Sequence, residues 1–211
     1  MVETIASNTD VASNLEETSV PDRNPAALDF MLTRRSRPAK TLQAPVPSHD
    51  ELGLILTAAS RTPDHGKLEP WRFIVLEGAA MDRLAQLARS RGAELGYDAE
   101  KIEKGAAQFV TGELAVVVVE AQKPSEKVPA IEQTYAVGGV CLALLNAALA
   151  SGWGANWLSG WPSHDRGFVE QGLELSETER VAGIIHIGTE KTAPPERPRP
   201  ELSNITTWVN S

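Results

Sequence analysis

Leu114-Ala115-Val116-Val117-Val118-Val119-Glu120 is the run on which the fold class turns. Four successive β-branched residues favour a strand. The run shows no alternation between apolar and polar positions, so the strand is expected to be buried on both faces, which requires a layer of other elements on each side of it. Upstream, WRFIVL (71–76) reads as a second buried strand. Between the two, Ala79 to Ser90 has Met81, Leu84 and Ala88 on an inner face, and Asp98 to Gln108 reads as another helix. Further upstream, Ser48-His49-Asp50-Glu51 fits a capping box and is followed by Leu52, Ile55, Leu56 and Ala59 on one helical face, ending before Pro63. Asn24-Pro25 looks like an N-cap and first-turn pair, with Leu28, Met31 and Leu32 behind it, and predicts a helix to about Thr33. Pro38 bars its continuation.

Downstream, Pro129 to Ser151 is the longest helix candidate, apolar on more than one side from Ala136 onward. Gly138, Gly139, Ala143, Ala147 and Ala148 give it little bulk, so neighbours can approach closely, and Gly152 is placed to stop it. A strand follows near 153–157, then a short helix over 165–171 and a buried strand over 181–188. The tail 192–208 carries Pro194, Pro195, Pro198 and Pro200 and is expected to be extended. Residues 1–23 are rich in Ser, Thr, Asn and Glu without a period and read as a flexible extension. The remainder, 24–211, reads as one domain of the α/β or α+β class.

Composition narrows the function. The chain has 211 residues with 28 acidic and 20 basic side chains, a net charge of −8. That opposes non-specific nucleic-acid binding, which needs a basic surface, and leaves room for a local anion pocket. A single cysteine, Cys141, excludes an internal disulfide framework and a cysteine-based zinc site. The four histidines (His49, His65, His164, His186) show no metal-binding spacing, so no metal is expected. There is no GxSxG, Walker A or GxGxxG motif. Cys141 sits mid-helix as a packing group and His186 within a strand as a core histidine. No uninterrupted apolar run reaches the roughly 18 residues of a membrane span. The start of the chain is acidic rather than signal-like. The expectation is a cytoplasmic protein with no membrane partner.

Four clusters remain. Arg34-Arg35-Ser36-Arg37 suits a phosphate, or is a solvated basic run. Arg61 to Trp71 is a polar loop between helix and strand, a common position for binding residues, or an ordinary charged loop. WGANWLSGW (153–161) holds three of the five tryptophans and could wall a planar ring, or pack the core. Arg197-Pro198-Arg199 could clamp a phosphate from a stiff segment, or be an exposed tail.

In this order, RRS (34–36), RTPDHGKLEPWRF (61–73), WGANWLSGW (153–161), GIIHIGT (183–189) and PPERPRP (194–200) resemble the FMN-dependent nitroreductase-like flavoenzymes, nearest the minimal-length branch with PDH in its loop. The resemblance covers about residues 24–208. It implies a central mixed sheet flanked by helices in an intertwined homodimer, with two FMN sites at the subunit interface. It implies that Arg34, Arg35 and Ser36 contact the flavin phosphate and ribityl chain, and that Arg197 and Arg199 complete the clamp. Trp157, Leu158 and Ser159 would lie against the isoalloxazine, and Arg61 and His65 would reach it from the partner subunit. The flavin would carry the redox chemistry, so no catalytic side chain is assigned. NADH or NADPH would reduce it, and nitroaromatics, quinones or similar small acceptors would reoxidise it by a ping-pong route. Many relatives have Asn where this chain has Lys67 and Gln where it has Glu69. An acid beside a flavin disfavours its anionic reduced form; the alternative is that Glu69 pairs with Lys67 or Arg72 instead. The alternatives are a flavin-binding sensor or storage protein that does not turn over, and a dimeric interaction protein without flavin.

Overall fold

The computed structural model describes residues 22–210, so most of the segment 1–23 lies outside the described residues. The chain divides into a unit ending at Thr33 and a unit beginning at Arg34. The described part of the first is helix α1, Pro25–Thr33, with no buried residue. Its start is capped as expected: the Ala27 amide donates to Asn24 Oδ1 at 3.0 Å.

The second unit is built on five strands: β1 (Leu42–Gln43), β2 (Trp71–Glu77), β3 (Leu114–Glu120), β4 (Gly154–Leu158) and β5 (Arg180–Glu190). Strand β5 is the hub, pairing with β1, β3 and β4, while β2 lies beyond β3. The resemblance implied a mixed sheet; among the described residues every pairing within the chain is antiparallel. The reason lies in the connections. Helices α3 (Ala79–Glu94) and α4 (Ala99–Val110) form a hairpin that returns β3 beside β2 in the opposite sense, Ile74 facing Val117.

The valine run is enclosed as its composition predicts. On one face Ala115, Val117, Val119 and Ile184 pack with Leu84, Ala88 and Phe109 of the α3–α4 hairpin, and with Phe168 of α7 (Arg166–Leu173). On the other, Val116, Val118, Ile185 and Ile187 pack with Leu52 and Ile55 of α2 (His49–Ala59), and with Val137, Val140 and Leu144 of α5 (Ala130–Ala150). Helix α2 starts with the full capping box at Ser48 and Glu51. Helix α5 stops where Gly152 adopts φ 86°. There the Gly152 amide donates to the Leu149 carbonyl at 3.1 Å and the Trp153 amide to the Ala148 carbonyl at 3.1 Å, a Schellman motif.

Helix α5 is long and apolar enough to cross a membrane by length and composition. Here Val137, Val140, Cys141 and Leu144 seat one of its faces on the sheet, as in the core helix of a layered domain. Its opposite face leaves Ile131, Tyr135 and Leu142 exposed, at i, i+4 and i+11. Burial pushes the Cys141 thiol up to about 12, which removes it as a nucleophile.

Beyond the short strand β1, which the sequence did not signal, two stretches depart from the sequence reading. Pro162 opens a separate short turn, α6 (Trp161–His164), ahead of α7. The tail is not extended throughout: Leu202–Ile205 forms a short helix, α8, just past Pro200, the last residue unable to donate a backbone N–H.

Candidate functional site

Two segments far apart in sequence meet at one place. Arg34-Arg35-Ser36-Arg37 runs along β4, held by the Arg37 amide donating to the Ala155 carbonyl and by Asn156 Nδ2 donating to the Arg37 carbonyl, both at 2.7 Å. The tail arrives from the end of β5. Arg35 Nη2 donates to the Pro195 carbonyl at 2.7 Å, and the Glu196 carboxylate lies 3.9 Å from Arg35 Nε and accepts from Arg199 Nη2 at 2.9 Å. Arg37 pairs with Glu190 at 3.4 Å.

The result is a concentration of positive charge in an acidic chain. Burial first, then the charges of Arg199, Arg35 and Arg37, hold the Arg34 guanidinium below its ordinary value. Arg34 Nε is buried and has no hydrogen-bond partner among the described residues. Clustered guanidiniums with an inward donor left open are suited to an oxyanion, because the fork geometry matches its oxygens. Ser36 is half-buried within the segment, and Arg197 is exposed, its amide donating to Glu196 Oε1 at 2.8 Å.

Beside this segment, β4 carries Trp157. Its indole lies over Gly183 of β5: a β-carbon there would come within 2.1 Å of Nε1. Trp157 is 38% exposed, Leu158 is half-buried and Ser159 is exposed. The tryptophan cluster therefore divides. Trp161 is a packing group, with Nε1 donating to the Lys101 carbonyl at 3.1 Å and its ring against Gly105. Trp157 offers the flat surface.

Arg61 and His65 form a second group, in the loop between α2 and β2. Among the described residues no hydrogen bond or ion pair joins them to the arginine segment. The loop has a tight shape. Gly66, Lys67 and Glu69 have φ of 79°, 53° and 49°, and the Asp64 carboxylate accepts from the Leu68 and Glu69 amides at 2.6 and 3.0 Å. Positive φ at two non-glycine residues is a strain that persists only where surrounding contacts impose it. The alternative pairing of Glu69 with Lys67 or Arg72 does not form. Arg72 is held bidentately by Glu179 at 2.6 and 2.9 Å, because the Ser176 amide fixes that carboxylate against β2. Lys67 and Glu69 make no ion pair among the described residues.

Several residues escaped the sequence reading. Asn156 and Gly183 position the arginine segment and the indole; a polar residue and a glycine inside apolar strands were their signals. Glu132, in the first turn of α5, accepts from His65 at 2.7 Å. No cluster of three or more His, Cys, Asp or Glu placed for a metal occurs among the described residues.

The fold is shared with solved structures. A nitroreductase-like family protein from Bacillus cereus superposes with a TM-score of 0.75 at 20% identity, covering 91% of this chain and all of that one. A Desulfovibrio desulfuricans protein, solved as a "putative nitroreductase in complex with fmn", gives 0.68 at 19%, covering 90% and 99%. In sequence, the chain is 31% identical to the Escherichia coli K12 protein named "Putative NAD(P)H nitroreductase YdjA" over 163 residues, 77% of this chain and 87% of that one. It is 34% identical to a "Putative NAD(P)H nitroreductase" of Haemophilus influenzae over 165 residues, 77% and 88%. The model of the Nitroreductase family matches residues 31–189, a span that begins just before the arginine segment and ends with β5, and the chain belongs to that family.

Proposed function

We propose that the protein is an FMN-dependent oxidoreductase that takes electrons from NADH or NADPH and passes them to nitroaromatics, quinones or similar small acceptors, as a homodimer. One observation carries the reading: Arg34, Arg35, Arg37 and Arg199 gather in a chain of net charge −8, with Arg34 Nε buried and open, beside a half-exposed indole. A dianionic phosphate on a flat ring is the ligand shape those groups fit.

Arg34, Arg35, Arg197 and Arg199 would hold the phosphate, with Ser36 beside them. Trp157, Leu158 and Ser159 would lie along the ring. When bound, FMN supplies two-electron chemistry that no side-chain constellation here offers. The chain's work is binding, orientation and charge: the arginines neutralise the phosphate, and the indole shields one side of the ring from water. One chain alone leaves that surface open. The exposed Ile131, Tyr135 and Leu142 stripe on α5 supports its closure by a second copy, whose loop with Arg61 and His65 would complete the site. Donor and acceptor would then use one pocket in turn, which gives ping-pong kinetics.

The test is a visible spectrum of the purified protein, followed by anaerobic addition of NADH or NADPH. Flavin bands that bleach support the reading, and the faster donor identifies the preferred nucleotide. Bands that persist would leave a flavin-binding protein without turnover. A colourless protein that FMN does not reconstitute would overturn the reading.

A further inference from the structure

The loop carrying His65 is packed closely against α5 and the residues that lead into it. A β-carbon on Gly66 would stand 3.2 Å from Val128 Cγ2, just ahead of α5, and one on Gly139 within α5 would stand 2.9 Å from Thr62 Cγ2, so the loop has little room to move on either side. The α5 turn is itself clamped: Gln133 Oε1 accepts from the Lys123 amide at 2.8 Å while its Nε2 donates to the Lys123 carbonyl at 2.9 Å. Between these fixed backbones runs the hydrogen bond from His65 Nδ1 to Glu132 Oε2, at 2.7 Å. The His65 side chain is 60% exposed, and its other ring nitrogen has no partner among the described residues.

A carboxylate can only accept. Nδ1 therefore keeps its proton whether the ring is neutral or charged, and the proton that comes and goes is carried at Nε2, on the open edge. We propose that Glu132 is a positioning residue that fixes His65 as the Nδ1–H tautomer and turns Nε2 outward as the loop's proton-exchanging atom. With the flavin site placed as above, on which this second step rests, Nε2 serves the acceptor. Reduction of a quinone to a hydroquinone takes two electrons and two protons. The reduced nicotinamide supplies the electrons and one proton as hydride, and the imidazolium Nε2–H supplies the second, the ring then regaining a proton from solvent.

The test uses the full-length protein labelled with ¹⁵N-histidine, read by two-bond ¹H–¹⁵N correlation at a pH where His65 is neutral, with a His65→Ala sample for assignment. His65 is expected as the Nδ1–H tautomer. Glu132→Ala shifts it toward Nε2–H, and Glu132→Gln, whose carbonyl also accepts, largely restores it. A ring that is Nε2–H in the wild type, or unchanged by Glu132→Ala, overturns the inference. In the FMN-loaded protein, reoxidation by a quinone slows about tenfold in both Glu132→Ala and His65→Ala, with no further loss in the double variant. Unchanged reoxidation with the tautomer result intact overturns the proton-donor step alone. A wild type that binds no FMN while showing the Nδ1–H tautomer removes the proposed function and leaves the Glu132–His65 pairing standing.

Discussion

The Trp157 indole rests on Gly183 so closely that a β-carbon at that glycine would stand 2.1 Å from the ring nitrogen. The position of the half-exposed ring is thus set by the absence of a side chain on the neighbouring strand. Gly183→Ala forces the indole off its bed. The expected outcome is about tenfold weaker FMN binding, through lost ring stacking, and about 1–3 kcal/mol lower stability from overpacking. Visible titration with FMN and thermal melting read the two effects separately; unaltered affinity would detach Trp157 from the cofactor.

Arg34→Ala and Arg199→Ala each remove a charge-assisted donor set from the cationic cluster. Each is expected to raise the FMN dissociation constant about 10- to 100-fold, measured by calorimetry at low salt. Full retention in the double variant would sink the phosphate assignment.

Ile131 and Leu142 stand exposed on the face of α5 opposite the sheet. A chain that dimerises through this stripe sediments at twice its mass, and Ile131→Glu with Leu142→Glu converts it to a monomer that binds FMN poorly. A wild type that is monomeric at micromolar concentration excludes the interface.

His186 is buried, and both its ring nitrogens lack a hydrogen-bond partner among the described residues. Desolvation pushes it down to about 4 from 6.5. The unfolded chain therefore binds the additional proton between these values, so stability is full above pH 6.5 and falls as the pH drops toward 4, by on the order of 3 kcal/mol. His186→Leu should flatten the slope in that window, as read by denaturant titration at a series of pH values.

A second acid window lies lower. The Arg72 guanidinium bonded to Glu179 holds that carboxyl down to about 2, against an ordinary value of 4.5. The stabilisation is present above pH 4.5 and lost as the pH falls to about 2, on the order of 2 kcal/mol. Arg72→Met makes this lower slope shallower, the Ser176 amide still holding part of the shift, and leaves the His186 slope intact.

The elements whose ends are local chemistry were legible in the chain. The valine run begins and ends at Leu114 and Glu120 as read, Ser48 and Glu51 close their capping box, and Gly152 stops α5. What was not legible depended on partners distant along the chain. Nothing local distinguishes Trp157 from Trp161 until Gly183 and Gly105 are placed beside them. Likewise, Glu69 and Glu179 are equally plausible partners for Arg72 until the β5 approach puts the latter in reach. The arginine clusters were visible as residue types, but their convergence required the hub strand.

That convergence depends on the sheet. The bond from Arg35 to the Pro195 carbonyl closes a loop of 160 residues. Closing such a loop from a free chain costs about 4–5 kcal/mol in entropy, more than one hydrogen bond returns. The cost is met instead by the pairing of Leu42 with Glu190 and Gln43 with Thr189, which joins the two segments just inboard of the arginines. The cationic cluster then depends on the sheet: no fragment lacking either the 34–43 or the 189–199 segment can assemble it, and a ligand that settles there latches those two segments to each other. Amide exchange at Leu42, Gln43, Thr189 and Glu190 should slow when FMN is added, although none of these residues is assigned to touch it.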